Sequence, residues 1–234
     1  MLATMAMPQG AAAINKSMDD WQRSHYDLLE AVEARTPYVA QGLPVQRNLW
    51  GDPIPLKDAW APLFGTTGGG MRAVSPITVR PDNPELIDKW IWDNRHAFRG
   101  ADQNGRLGFE VPGLIQTFEA GPKVSAHVEL NPWQHDRLVE LAGNGFKDPS
   151  TGLGAKDYLN ALVNGNLPNS GQQAIWDKAP PMVKADMVRS IISKFRAGAK
   201  QQLVTEFPNL RQTVEEGFKQ SISRQQQQQP EMAQ

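Results

Sequence analysis

Four histidines, His25, His96, His127 and His135, and 25 acidic side chains are the residues from which a reactive centre would have to be built. A zinc helix needs two histidines one turn apart with a glutamate between them, and no such pair occurs, so each histidine reads as surface or half-buried packing. A glycosidase needs two carboxylates held across a cleft; Glu110 and Glu119 are a candidate pair, but nothing in the sequence sets them across one. The run "GTTGGGM" (65–71) has the glycines of a phosphate loop without the closing Gly-Lys-Ser/Thr, and reads as a flexible linker. "GADQNGRLGFEV" puts Asp102, Asn104 and Gly105 at calcium-loop positions three, five and six, but Gly100 and Val111 stand where the anchoring carboxylates belong. With no cysteine there is neither a disulfide framework nor a thiolate metal site. The sequence thus nominates no catalytic residue, no cofactor and no metal ligand.

A different chemistry is available near the C-terminus. From Lys184 to Arg224 eight basic residues stand against four acids. A solvated helix face is the plain reading; the sharper one is contact with nucleic acid through Lys194, Arg196 and Lys200, although no aromatic residues interleave them as a stacking platform requires. The chain as a whole has 24 basic and 25 acidic residues, so its net charge gives no reason for strong attraction to nucleic acid or membranes.

The elements that would position these groups are mainly helical. Ile14, Met18, Trp21, His25 or Leu28, Leu29 and Val32 follow a three-four spacing, which predicts an amphipathic N-terminal helix within residues 1–36. Thr36-Pro37 ends it. Pro44, Pro53, Pro55 and Pro62 then remove backbone donors and hold the chain extended, so residues 37–82 read as a strap fastened by side chains rather than by ladders. Leu49, Trp50, Trp60 and Phe64 are its apolar pegs, the candidate residues for anchoring between segments or between subunits.

Residues 83–130 should hold a helix capped by Asn83-Pro84, an irregular Gly-rich stretch over 99–123, and a strand "KVSAHVEL" able to pair with residues 72–79. Residues 131–223 carry the clearest periodicity. Asn131, Pro132 and Gln134 open a helix in capping-box fashion, a second follows at about 155–164 and a third at about 170–178. A long one begins at Pro180 or Pro181, is interrupted at Pro208 and continues to about Ser223. Residues 224–234, "RQQQQQPEMAQ", read as a disordered tail. The expected fold is mainly α: a helical C-terminal bundle, a small two-stranded β-ribbon and an extended Pro-rich strap. No run of about 18 apolar residues predicts a membrane-spanning helix, and no export signal precedes Lys16.

The order of landmarks is distinctive: "RTPYVAQGLPVQRNLWGDPIP", "NPELIDKW", "VELNPWQHDRLVELAGNGFKDPSTGLGAKDYLNALVNG" and "MVRSIISKFRAGAKQQLVTEFPNL". From Leu28 to Leu210 this resembles the C-terminal region of very large bacteriophage and prophage internal virion proteins, of the ejection or large polyvalent type. The resemblance implies a non-enzymatic virion component that assembles with itself, with a larger internal protein, or with portal or tail components, located in the particle and taking no small-molecule substrate. It also leaves room for weak contact with packaged DNA, or for an accessory role in a cell-wall-degrading ejection complex. Because the chain opens at its own Met1 close to the strap, the large upstream region of such proteins is expected to be missing, and no enzymatic assignment carries over.

Overall fold

The computed structural model describes residues 21–24, 33, 39–54, 86–98, 109–121, 124–167 and 171–228. Trp60, Phe64, the glycine run at 65–71, the expected strand at 72–79, the Asn83-Pro84 cap, Asp102, Asn104 and His25 lie outside these residues.

The described chain is mainly helical with one small antiparallel ribbon. Helix α1 spans Leu86–Asp93 and is extended by a tighter turn at Arg95–Phe98. Strands β1 (Ile115–Gly121) and β2 (Val124–Glu129) pair side by side. Helices α2 (Pro132–Glu140), α3 (Ala155–Val163), α4 (Gly171–Lys178), α5 (Pro181–Glu206) and α6 (Pro208–Gln228) follow.

The start of α2 follows the sequence closely. Asn131 Oδ1 accepts from the Gln134 amide at 2.9 Å, Gln134 Oε1 accepts from the Asn131 amide at 3.1 Å, and Pro132 occupies the first turn, where no donor is missed. Its last turn widens into a π-turn over Leu141–Gly145, closed by Phe146 N–H donating to the Leu141 carbonyl.

Three expectations are corrected. Part of the stretch expected to be irregular is strand β1, which pairs with β2: Gln116 faces Val128 and Phe118 faces Ala126 across the ribbon. A hairpin closes a short loop, which keeps the entropic cost of this pairing low. Residues 21–24, expected in the N-terminal helix, run extended; Ser24 N–H donates to the Pro44 carbonyl and Gln22 N–H to the Ile54 carbonyl, while Glu33 is helical. The strap is therefore held partly by backbone bonds from its non-proline residues, including Gln46 N–H to Gln22 and Ile54 N–H to Gln46. Finally, α6 runs through Gln228, so the first glutamines of the tail are helical rather than disordered. Glutamine is a good helix former, and a helix already nucleated propagates into it at little cost.

Two apolar clusters share α5 as a spine. Val188, Ile191, Ile192 and Phe195 pack with Leu49, Trp50, Ile87, Ile91, Phe98, Leu159, Leu162 and Trp176. One turn on, Ala199 and Leu203 pack with Phe118, Val128, Leu138, Leu210 and Val214. Phe146 touches both. The five side chains Val188, Ile192, Phe195, Ala199 and Leu203 fall three or four residues apart and form one continuous stripe.

Candidate functional site

The proline-rich strap makes one tight feature among the described residues, the turn from Arg47 to Pro53. Asn48 Oδ1 accepts from both the Trp50 and Asp52 amides, at 2.9 and 3.0 Å, which curls the backbone in the manner of an Asx turn. Gly51 takes φ +76°, a conformation that L side chains rarely adopt. The turn aims Trp50 inward. Its indole is 2 % exposed, and Nε1–H donates to Asp88 Oδ1 at 2.7 Å, so the ring's one donor is satisfied by a buried carboxylate on α1.

Around this indole the turn is bolted to α2 and α3. The Arg47 guanidinium reaches both Asp136 oxygens, with Nε to Oδ1 at 2.8 Å and Nη2 to Oδ2 at 3.3 Å, and approaches Glu140 at 3.5 Å. Lys156 on α3 bonds Asp52 at 2.8 Å. Gly143, in the π-turn, lies so close to the strap that a Cβ there would stand 2.0 Å from the Trp50 carbonyl carbon. A Cβ on Gly51 would meet the Glu140 Cα at 2.9 Å. Two backbones thus touch at a point where neither tolerates a side chain.

Leu49 and Trp50 are pegs, as the sequence suggests, but the surface they grip is the chain's own core. Leu49 is 4 % exposed. Burial this complete excludes them from a contact between subunits in this conformation and leaves the role of joining segments. The residues sequence reasoning missed here are the receivers, Asp88, Asp136 and Gly143. Asp88 had a signal available, since an acid inside an apolar helical stripe calls for a buried donor.

The basic residues proposed for nucleic acid divide into two groups. Lys194 pairs with Asp148 at 2.5 Å on the loop after the π-turn. Asp148 is 3 % exposed; Lys194 and then Ser150 bond its carboxylate and pull it down to about 2, below the usual carboxylate range. Arg196 and Lys200 instead line a groove of about 600 Å³ between β1, α5 and α6, together with Phe118, Val214 and Phe218. Arg196 donates to the Glu110 carbonyl and Lys200 to the Thr117 carbonyl at 2.9 Å, with the Lys200 ammonium over the Phe118 ring. Burial lowers both pKa values, and the proximity of Arg196 lowers that of Lys200 further.

No protein-family model, no curated protein and no solved structure matches this chain. Its own geometry is the guide. A cavity of about 300 Å³ beside the strap is lined by Ser24, Arg47, His135 and Asp136 among others. There His135 Nε2–H donates to the Pro112 carbonyl at 2.6 Å and Asp136 accepts from the Arg47 guanidinium, so both groups hold neighbouring segments in place. His127 bonds Thr117 across the open face of the ribbon, and His96 is exposed. Among the described residues no three His, Cys, Asp or Glu are placed to hold a metal ion, and no helix is long and apolar enough to cross a membrane.

Proposed function

We propose that this chain is a non-enzymatic component of a bacteriophage particle, an internal or ejection-type protein that assembles with copies of itself or with a larger virion protein. One observation supports the reading above others. The two stretches on which the resemblance is most distinctive, "RNLWGDP" and "VELNPWQHDRLVELAG", lock onto each other through Arg47 with Asp136 and Gly51 against Glu140. Residue types that a catalyst would use, Arg47, Asp52, Asp136 and Lys156, are committed here to holding a strap on a helical body. A strap fastened in this way behaves as a scaffold, whose task is to present surfaces.

Quantitative mass spectrometry of particles purified from the phage or induced prophage that encodes the chain tests this directly. The expected result is a fixed copy number per particle. Absence from purified particles, or a reproducible cell-wall-degrading activity of the chain alone, would overturn the reading.

A further inference from the structure

The groove between β1, α5 and α6 holds two half-buried cations that have no ion-pair partner among the described residues. This sets Arg196 and Lys200 apart from the other buried or half-buried charges of the core: Arg47, Lys156 and Arg189 each meet a carboxylate. Arg196 and Lys200 lie one helical turn apart on α5, so both heads face the same space. Each donates one hydrogen bond to a neutral carbonyl, which leaves donor capacity on both the guanidinium and the ammonium. Glu119 lines the groove near Lys200 and Glu110 lies beside Arg196, but neither comes within ion-pair distance. Phe118, Val204, Val214 and Phe218 supply apolar walls, with Thr117, Ser193 and Gln201 as neutral polar neighbours.

A cation drawn partly out of water and satisfied only by carbonyls keeps an unrelieved desolvation cost, and an incoming carboxylate relieves it with charge-assisted hydrogen bonds. Apolar walls on either side favour a ligand whose carboxylate is flanked by apolar side chains. A phosphate backbone would meet the same two cations but gain nothing from those walls.

We infer that this groove docks an acidic, apolar-flanked segment of a partner polypeptide, with Arg196 and Lys200 clasping its carboxylate and Phe118, Val214 and Phe218 receiving the adjacent side chains. The inference rests on the assembly reading only in taking the occupant to be a polypeptide. Its test uses the isolated chain, so it can fail while the chain is still found in particles, and the reverse.

The chain has no cysteine, so Ser193→Cys on the groove wall gives a single attachment point for an environment-sensitive fluorophore. The probes are eight-residue peptides alternating Glu with Leu or Phe, the same peptides with Lys in place of Glu, and a single-stranded oligothymidine of twenty nucleotides. Saturable binding of the acidic set with a fluorophore shift is expected, with the basic set at least about tenfold weaker. Lys200→Gln should weaken acidic-peptide binding about tenfold or more, while Lys194→Gln, on a different face, leaves it unchanged. Circular dichroism separates lost binding from lost folding, and the labelled chain with native Arg196 and Lys200 reports on the groove whether or not those variants fold. Equal binding of acidic and basic peptides, no saturable binding at all, or tighter binding of oligothymidine than of any peptide would overturn the inference.

Discussion

Trp50 and Gly143 meet where the strap and π-turn backbones touch, and each sets a distinct demand on the residue type. Replacing the indole with alanine should cost on the order of 3–5 kcal/mol in chemical denaturation, because the packed ring and its hydrogen bond are lost together. Trp50→Phe keeps most of the volume but leaves Asp88 without the indole donor, and about 1–3 kcal/mol is expected. Gly143→Ala should be as damaging as Trp50→Ala, since a Cβ must displace the strap backbone, whereas Gly171→Ala, with nothing within 4 Å, should be neutral or slightly stabilising. Equal midpoints for Gly143→Ala and Gly171→Ala would mean that the strap does not seat on the π-turn. Asp148 supplies a pH signature. Its folded pKa is depressed to about 2 from 3.8, so its contribution is fully present above the unfolded value and is lost as pH falls through the folded one. The shift corresponds to about 2 kcal/mol at most, and less after allowance for the exposed Lys194 partner. Urea midpoints measured from pH 5 to pH 2 should therefore fall more steeply for the native chain than for Asp148→Asn. Glu206, held down chiefly by its bond to Arg137, adds to the same acid-side loss.

At the scale of elements, the ribbon is too small to stand alone and depends on α6. Leu210 and Val214 anchor that helix in the second cluster, and Gly217 passes directly over β2, where an added Cβ would lie 2.6 Å from Ala126 Cβ. Gly217→Val should therefore destabilise the protein, and Ala126→Gly in the same chain should restore part of the loss. A double-mutant cycle measures the coupling, expected at about 1 kcal/mol or more for atoms in direct contact. Purely additive effects would place α6 elsewhere. Further along, none of the described α6 side chains after Val214 is fully buried, and Gln-rich residues form the end of the helix. Amide exchange should accordingly speed up beyond Ser221, whose hydroxyl accepts from Ser125 N–H, because a helix end with little buried apolar surface opens at low cost.

For the molecule as a whole, α5 threads both clusters and Phe146 joins them, so heat should unfold them together. Far-ultraviolet and near-ultraviolet signals are expected to trace one transition, the latter reporting on Trp50 and Trp176 in the first cluster. A fragment from Ala126 to Ser223 keeps every helix from α2 to α5 but loses Leu49, Trp50, Ile87, Ile91 and Phe98 from the first cluster, and β1 from the second. It should melt at a markedly lower temperature than the whole chain, or without a cooperative transition; a fragment as stable as the parent would show that the strap and α1 add nothing to the core.

Local information was enough for much of this architecture. The box at Asn131–Gln134, the proline breaks at Pro181 and Pro208 and the apolar stripe of α5 act through neighbours a turn or less away, and each sits where the sequence reading placed it. The same locality explains the failures. Whether 124–129 pairs with 115–121, whether residues 21–24 join the strap, and which surface receives Trp50 all depend on contacts between segments far apart in the chain, to which periodicity is blind. The basic residues of α5 make the point most plainly. Lys194, Arg196 and Lys200 share one short run of sequence, yet Asp148 neutralises the first while the other two face a groove formed by β1 and α6. A helix of 3.6 residues per turn turns residues two apart toward different neighbours, and only the packing of those neighbours decides whether a charge is paired or left facing a cleft.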